Sequence, residues 1–290
     1  MRVLLIGADT SVGIALQSHL LRWGRHEVEP LNISACRWKS ERQAKKAARR
    51  GGCDVIIDTR IIAACDSGEI LHEIDIKRCH WLAKACQRSD IRYFYLSSSR
   101  VFSGTRGRPY TELDPPDNQE TIGQLLLQAE SLVRDTCDAH LILRLGPIFS
   151  ARGVNVLTHM LGQLIAGGTL TLNNGLIGCP VESQDAARVV AAIIDQVSAG
   201  AESWGTYNYC SPDPTHCYEF AEVLLASASQ FSEFGPTAVQ LEVRAEPEAP
   251  LNRQLDCSSI RNTFAIKQVA WRGTIASAVK HYFELQADQE

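Results

Sequence analysis

Between Lys84 and Lys267 the chain has no lysine, and between Tyr110 and Tyr207 it has no tyrosine. No apolar run approaches the ~18 residues that a membrane span requires, so no transmembrane helix is expected. The opening MRVLLIGADT is apolar only briefly and passes into a glycine turn, which reads as a first strand and not as a signal sequence. Ten cysteines scatter from Cys36 to Cys257 with no Cys-x-x-Cys spacing. They read as buried, reduced thiols of a cytoplasmic protein, which excludes a disulfide framework and a cysteine-based zinc site. His80, His140, His159 and His216 have no carboxylate at zinc-ligand spacing, so no metal is expected. Ser97-Ser98-Ser99 lacks the Gly-x-Ser-x-Gly elbow of a serine hydrolase. A formal net charge of -4 offers no basic field for nucleic acid, and the KKAARR run from Lys45 to Arg50 reads as a solvated helix face.

What is present is a chain of 290 residues, 45% of them hydrophobic, enough for one large α/β domain or for a domain with a smaller lobe. Arg2 to Ile6 has the continuous apolar character of a fully buried strand, and Ser11 to Arg22 carries helical spacing through Val12, Ile14, Ala15, Leu16 and Leu20. Further strands are expected at Glu27 to Leu31, Val55 to Ile57, Tyr93 to Ser97 and His140 to Leu145, with helices at Glu41 to Arg50, His72 to Gln87 and Gly123 to Asp135. Strands alternating with helices predict a doubly wound parallel sheet covered on both faces. Beyond it, a helix is expected after Asn155, a turn-rich strand pair around Asn173 to Gly178, a helix from Ser183 to Asp185 onward, a helical Phe220 to Leu225, a strand at Ala238 to Val243 and a loop from Glu246.

The run Gly7-Ala8-Asp9-Thr10-Ser11-Val12-Gly13 follows a strand and opens a helix, the context of a pyrophosphate cradle in a Rossmann-like fold. There, glycines let the backbone approach the phosphates and helix-terminal amides meet the anion. Gly7, Thr10, Ser11, Val12 and Gly13 are the candidate cofactor contacts, with Asp58, Arg60 and Ser97 at the ends of later strands. Gly7 and Gly13 serve either a nucleotide or only a tight strand-to-helix turn. Arg60 either fills the groove or meets a phosphate from a new direction. No acidic residue ends the Glu27 to Leu31 strand to hold a ribose hydroxyl, and Arg37 or Lys39 suits a 2′-phosphate, which favours NADP over NAD if a dinucleotide binds.

The segment YFYLSSSRVFSGTRGRPYTELDPPDNQETIGQLLLQAESLV, from Tyr93 to Val133, resembles the active-site region of the extended short-chain dehydrogenases, in particular the dTDP-4-dehydrorhamnose reductases. In those proteins a strand ends in Ser-Thr-Asp-Tyr-Val-Phe-x-Gly, Pro-Tyr-x-Glu follows, and a helix opens Tyr-Gly-x-x-Lys with a Glu four residues on. Ser97, Ser98, Val101, Phe102, Gly104, Pro109, Tyr110, Glu112, Asp114, Pro115, Gly123 and Glu130 fit that frame. Ile122 takes the tyrosine position and Leu126 the lysine position. Likewise, Thr10 replaces the middle glycine of the family's phosphate turn, Asp58, Thr59 and Arg60 stand where small residues line the cofactor, and Ala249 stands where an arginine is common near the C-terminal Leu251 to Phe283 stretch.

The resemblance implies a Rossmann-like core over residues 1–150 and a smaller, interleaved substrate lobe over 151–290, with about 176–200 returning to the core. It also implies NAD(P) and a nucleotide sugar as ligands. In the family the phenol handles the proton at the carbonyl, with a lysine lowering its pKa from about 10 toward the working pH. Ile122 and Leu126 do neither, and Ser98 remains as the polar residue able to hydrogen-bond a ligand oxygen. A ligand-binding protein without standard reductase catalysis is therefore expected. The alternatives are a reductase or epimerase with a relocated acid, for which Tyr110, Tyr207 and Tyr209 are the available phenols, and a scaffold that docks a protein partner or forms a homodimer.

Overall fold

The computed structural model describes residues 1–22, 25–50, 52–232, 239–243 and 250–288. Its first half alternates strand and helix: β1 (Arg2–Ile6), α1 (Ser11–Arg22), β2 (Glu27–Leu31), α2 (Glu41–Arg50), β3 (Val55–Asp58), α3 (Arg60–Ser67), α4 (Glu73–Ser89), β4 (Arg92–Ser98), α5 (Thr121–Thr136) and β5 (His140–Leu145). The second half holds β6 (Ile148–Phe149), α6 (Val156–Ala166), β7 (Gly168–Leu172), β8 (Leu176–Ile177), β9 (Val181–Glu182), α7 (Ser183–Ser198), β10 (Gly205–Tyr209), α8 (Cys217–Ala228), β11 (Val239–Val243), β12 (Leu251–Asn252), α9 (Ser258–Phe264) and α10 (Arg272–Ala287).

Six strands form one parallel sheet in the order β10-β5-β4-β3-β1-β2. Residues of β3 and β5 are buried throughout, because helices cover both faces and leave no polar side to the sheet. The edge strand β2, EVEPL, differs: it is largely exposed, and Pro30 and its two glutamates discourage pairing with another chain. Each fully buried Leu, Ile or Phe in the inner strands contributes roughly 1.5–3 kcal/mol.

Two hydrophobic clusters result. The larger surrounds the six-stranded sheet and takes in α7, which packs along α1. The smaller joins Phe149, Leu161, Phe220, Trp271 and Val279 from β6, α6, α8 and α10. Among the described residues no helix is long and apolar enough to cross a membrane.

Most expected elements recur within a residue or two, and three points differ. Residues 60–67, which carried no helical expectation, form α3; the segment is too short for a periodicity to declare itself, and Gly68 ends it at φ 75°. The strand pair expected around Asn173 to Gly178 is not a pair: β7 lies beside β11 and β8 beside β12, both parallel. The turn there serves to aim the chain at later segments, which local sequence does not reveal. The loop expected from Glu246 and the Ala249 position lie outside the described residues.

Candidate functional site

The chain leaves β1 for β2 on one side of the sheet and then crosses to β3 on the other, so the switch point lies between the C-terminal ends of β1 and β3. Open α/β sheets bind ligands in the crevice at that place. Here it is lined by the Gly7 turn and by Asp58, Thr59 and Arg60. Gly7 has φ 80°, which suits glycine, and a Cβ on it would stand 2.5 Å from Thr59 Oγ1, 3.1 Å from Thr10 Cγ2 and 3.4 Å from Arg60 Cγ. A Cβ on Gly13 would meet the Gly7 carbonyl at 2.1 Å, so both glycines are required by the turn itself.

The hydroxyls in this crevice form a closed relay. The Gly13 amide donates to Thr10 Oγ1 (2.9 Å), Thr10 and Thr59 share a 2.8 Å hydrogen bond, and Thr59 donates to the Gly7 and Ile6 carbonyls (2.9 and 3.0 Å). Thr10 thus caps α1 with its own side chain, as a threonine at a helix start commonly does. The amides of Gly7 and Ala8 donate to the Leu31 carbonyl and that of Thr10 to the Gly7 carbonyl. Val12 is fully buried, and Ser11 lines a separate, wider cleft of about 680 Å3 with Glu182, Lys280 and His281.

Arg60 is locked beside this relay. Its Nε and Nη2 donate to the two Asp58 oxygens (2.9 and 2.6 Å), Tyr93 donates to Asp58 Oδ2 (2.9 Å), and the guanidinium lies 5.5 Å from the Trp38 ring centre. Burial opposes the charge on Arg60, and the Asp58 carboxylate overrides it, so its pKa lies well above the ordinary arginine value. Asp58, expected to face a ligand, is fully buried and committed to this pair. Arg37 and Lys39 are exposed.

A second opening lies at the ends of β4 and β5. A cavity of about 240 Å3 is lined by Ser98, Ser99 and Arg100, by Cys65 and Asp66 of α3, by Pro147 and Ile148, and by Arg253 just beyond β12. Gly104 brings Arg253 here: at φ 94°, it lets Leu251 and Arg253 pass where a Cβ would stand 2.9 and 3.3 Å from them, and its carbonyl accepts the Asn252 amide (2.7 Å). Arg253 is 8% exposed and its Nε has no hydrogen-bond partner, and neither has the buried Asp66 Oδ2. Asp66 Oδ1 accepts from the Ile148 amide (3.1 Å). Burial holds the Asp66 carboxyl well above the ordinary carboxylate range, although the Ile148 amide and Arg100 pull the other way. Ser98 Oγ accepts from the Arg100 amide (3.3 Å), and burial pushes the Cys65 thiol up to about 12.

Several expected site residues are placed elsewhere. Ser97, expected at the ligand groove, turns inward and donates to Glu130 Oε1 (2.6 Å), and Glu130 Oε2 accepts from Nη2 of the buried Arg144 (2.7 Å). Leu126 is fully buried in the core and Ile122 packs at its edge, so the family's tyrosine and lysine positions present hydrocarbon. None of the three phenols lines the Ser98 cavity. The Tyr110 hydroxyl accepts from the Gly104 amide (3.0 Å), Tyr207 donates to the Ser203 carbonyl (3.3 Å), and Tyr209 donates to Asp185 (2.6 Å).

Asp66, Arg100 and Arg253 did not emerge from the sequence as site residues. Arg253 had a signal, since it stands at the serine of the family's Arg-Pro-x-x-Ser-x-Leu ending. Asp66 and Arg100 meet only in three dimensions.

The architecture has close counterparts. The chain is 25% identical to a dTDP-4-dehydrorhamnose reductase of Burkholderia thailandensis over 97% of its own length and 98% of that protein's. A crystal structure of a dTDP-4-dehydrorhamnose reductase from Clostridium acetobutylicum superposes with a TM-score of 0.82 at 20% identity, covering 99% of this chain and 100% of that one. The Bacillus anthracis reductase, solved in complex with NADP, superposes at 0.79 and 18% identity, covering 96% of each. The family model described as the RmlD substrate binding domain matches residues 1–284. With the six-stranded parallel sheet, the glycine turn and the Ser98 strand end in the places that this family model spans, the chain belongs to the RmlD substrate binding domain family.

Proposed function

We propose that this protein binds a nucleotide sugar, or a ligand built like part of one, at the Ser98 cavity and does not carry out the family's reduction. One observation carries the reading: at the switch-point crevice Thr10, Thr59 and Arg60 are hydrogen-bonded within the fold, while the Ser98 cavity stays open with buried polar atoms unpaired. The Thr59 hydroxyl and the Arg60 side chain, within 3.4 Å of where a Cβ on Gly7 would lie, support a turn closed to a dinucleotide pyrophosphate. Ile122 and Leu126 remove the proton donor and the ammonium that tunes it, a loss of roughly 100- to 10,000-fold in a general acid step.

The test is twofold. Thermal shift with dTDP-glucose should raise the melting temperature, while NADP and NAD should not. An assay with NADPH and dTDP-4-dehydrorhamnose should show no oxidation above the protein-free rate; turnover at ordinary enzyme rates ends this reading. A second reading, reduction with a relocated acid, rests on Asp66, which lines the cavity with Ser98 and whose carboxyl burial pushes above the ordinary carboxylate range. It requires the dinucleotide to displace Thr59 and Arg60, and it predicts NADPH oxidation that Asp66→Asn abolishes. A protein-docking scaffold is the outcome if no nucleotide or sugar shifts the melting temperature.

A further inference from the structure

The Ser98 cavity contains two arginines whose charges are not balanced by the groups around them. Arg253 is 8% exposed, and its one ion pair among the described residues, to Glu120, is long at 3.7 Å and ends on a carboxylate that is 59% exposed. Its Nε has no hydrogen-bond partner among the described residues. Arg100 makes one contact to the Cys65 carbonyl (3.2 Å) and no salt bridge among the described residues. A buried guanidinium with an unmet donor is expensive to maintain, since an unsatisfied buried polar group costs about 1–3 kcal/mol and more when charged. Other openings do not share this property: no residue lining the wider cleft beside Ser11, or the pocket of about 220 Å3 at His19 and Arg188, has an orphaned buried polar atom.

We propose that the cavity recognises the carboxylate of a small sugar acid, with Arg253 Nε and the Arg100 guanidinium on the carboxylate and with Ser98 and Asp66 on the ring hydroxyls. This deepens the proposed function, since it names the kind of sugar that the same cavity takes. Charge favours a carboxylate. Arg253 keeps one long ion pair, to Glu120 at 3.7 Å, Arg100 keeps none among the described residues, and burial raises the pKa of the neighbouring Asp66 carboxyl, which weakens its competition for the guanidinium groups. A phosphate dianion would leave a negative charge in a partly dry site, where it is poorly tolerated. Size points the same way: at about 240 Å3 the cavity falls below the roughly 300–1,000 Å3 of sites for drug-sized ligands and suits a single ring. Its walls add Pro147, Ile148 and Val156, an apolar surface against which a pyranose face can rest. Guanidinium–carboxylate pairing is directional and two-pronged, which distinguishes a carboxylate from a hydroxymethyl group at the same carbon.

Isothermal titration calorimetry on the full chain with D-glucuronate, D-glucose and D-glucose 1-phosphate tests this. Glucuronate should bind at least tenfold more tightly than either of the others. Arg253→Ser, which restores the family's residue, should remove that preference, and Arg253→Lys should keep part of it; circular dichroism confirms that each variant is folded. Equal or tighter binding of glucose or of glucose 1-phosphate overturns the proposal, as does a folded Arg253→Ser that keeps the preference. Should Arg253→Ser fail to fold, the Lys variant and the wild-type ligand order decide. Titration of dTDP-glucose separates the two readings. Binding of dTDP-glucose without glucuronate removes the sugar-acid inference alone, binding of glucuronate without dTDP-glucose upholds it and cuts the proposed function back to a ligand built like the sugar part of a nucleotide sugar, and no binding by any of them removes both.

Discussion

The two openings along the C-terminal edge of the sheet are built from the same kinds of residue and end in opposite states. At β1 and β3, Thr10, Thr59, Asp58, Tyr93 and Arg60 hydrogen-bond to one another, and Gly7 lies against them with no room for a Cβ. At β4 and β5, Ser98, Asp66, Arg100 and Arg253 surround about 240 Å3, with Arg253 Nε and Asp66 Oδ2 unpaired. Buried polar groups that satisfy one another are a structural solution, whereas buried polar groups without partners mark a place where something outside the chain completes them. The β1–β3 end of the sheet is tied together by its own hydrogen bonds, and the β4–β5 end keeps a cavity with two unpaired polar atoms among the described residues.

The largest effect should come from breaking the closed side. Asp58→Ala leaves Arg60 buried without its counterion and should cost about 3–5 kcal/mol in urea unfolding, whereas replacing both residues with apolar ones of similar volume should cost far less. A loss under about 1 kcal/mol for the single variant would mean that the crevice is looser than its hydrogen bonds imply. Opening the crevice comes next: Thr10→Gly, Thr59→Ala and Arg60→Ala together should create a thermal response to NADP that the wild type lacks, worth about 2.7 kcal/mol at 100 times the dissociation constant. A wild-type shift of that size would erase the contrast between the two openings.

The smallest effect concerns the wider cleft, which belongs to neither. Glu182 caps α7, accepting from the Gln184 and Asp185 amides, and burial pushes its carboxyl from 4.5 up to about 7. The folded state therefore holds a proton that the unfolded chain releases between those values, so stability is greatest below the unfolded pKa and falls as pH rises toward 7. The loss should be about 1–2 kcal/mol, since its partial exposure screens it. Glu182→Gln keeps the capping oxygen and should flatten unfolding free energy between pH 5 and pH 8; a variant as pH-dependent as the wild type assigns the slope to other groups.

Much of the fold was legible locally. Val55–Asp58 and His140–Leu145 are short, mainly apolar and wholly buried because helices cover both faces of the sheet, and Ser11–Arg22 declares its period through its buried residues. Less of the site was legible. Ser97 and Ser98 are adjacent and chemically identical, and the alternation of a strand sends one into Glu130 and the other to the cavity edge. Tyr110 fits the family frame by position, yet its hydroxyl is used to hold the Gly104 turn, and no residue type announces that commitment.

The sequence by itself determined the alternating parallel architecture, the family, and the loss of tyrosine and lysine at positions 122 and 126, because periodicity and motif spacing are properties of neighbours along the chain. Which partners the Arg60 side chain takes was decided only by tertiary structure, through the nearness of Asp58, Tyr93 and Trp38. Arg253, 155 residues beyond Ser98 and beside it in space, was likewise beyond the reach of local pattern. Burial sets the balance between a charge paired within the protein and one left for a ligand, and burial exists only once distant segments have packed.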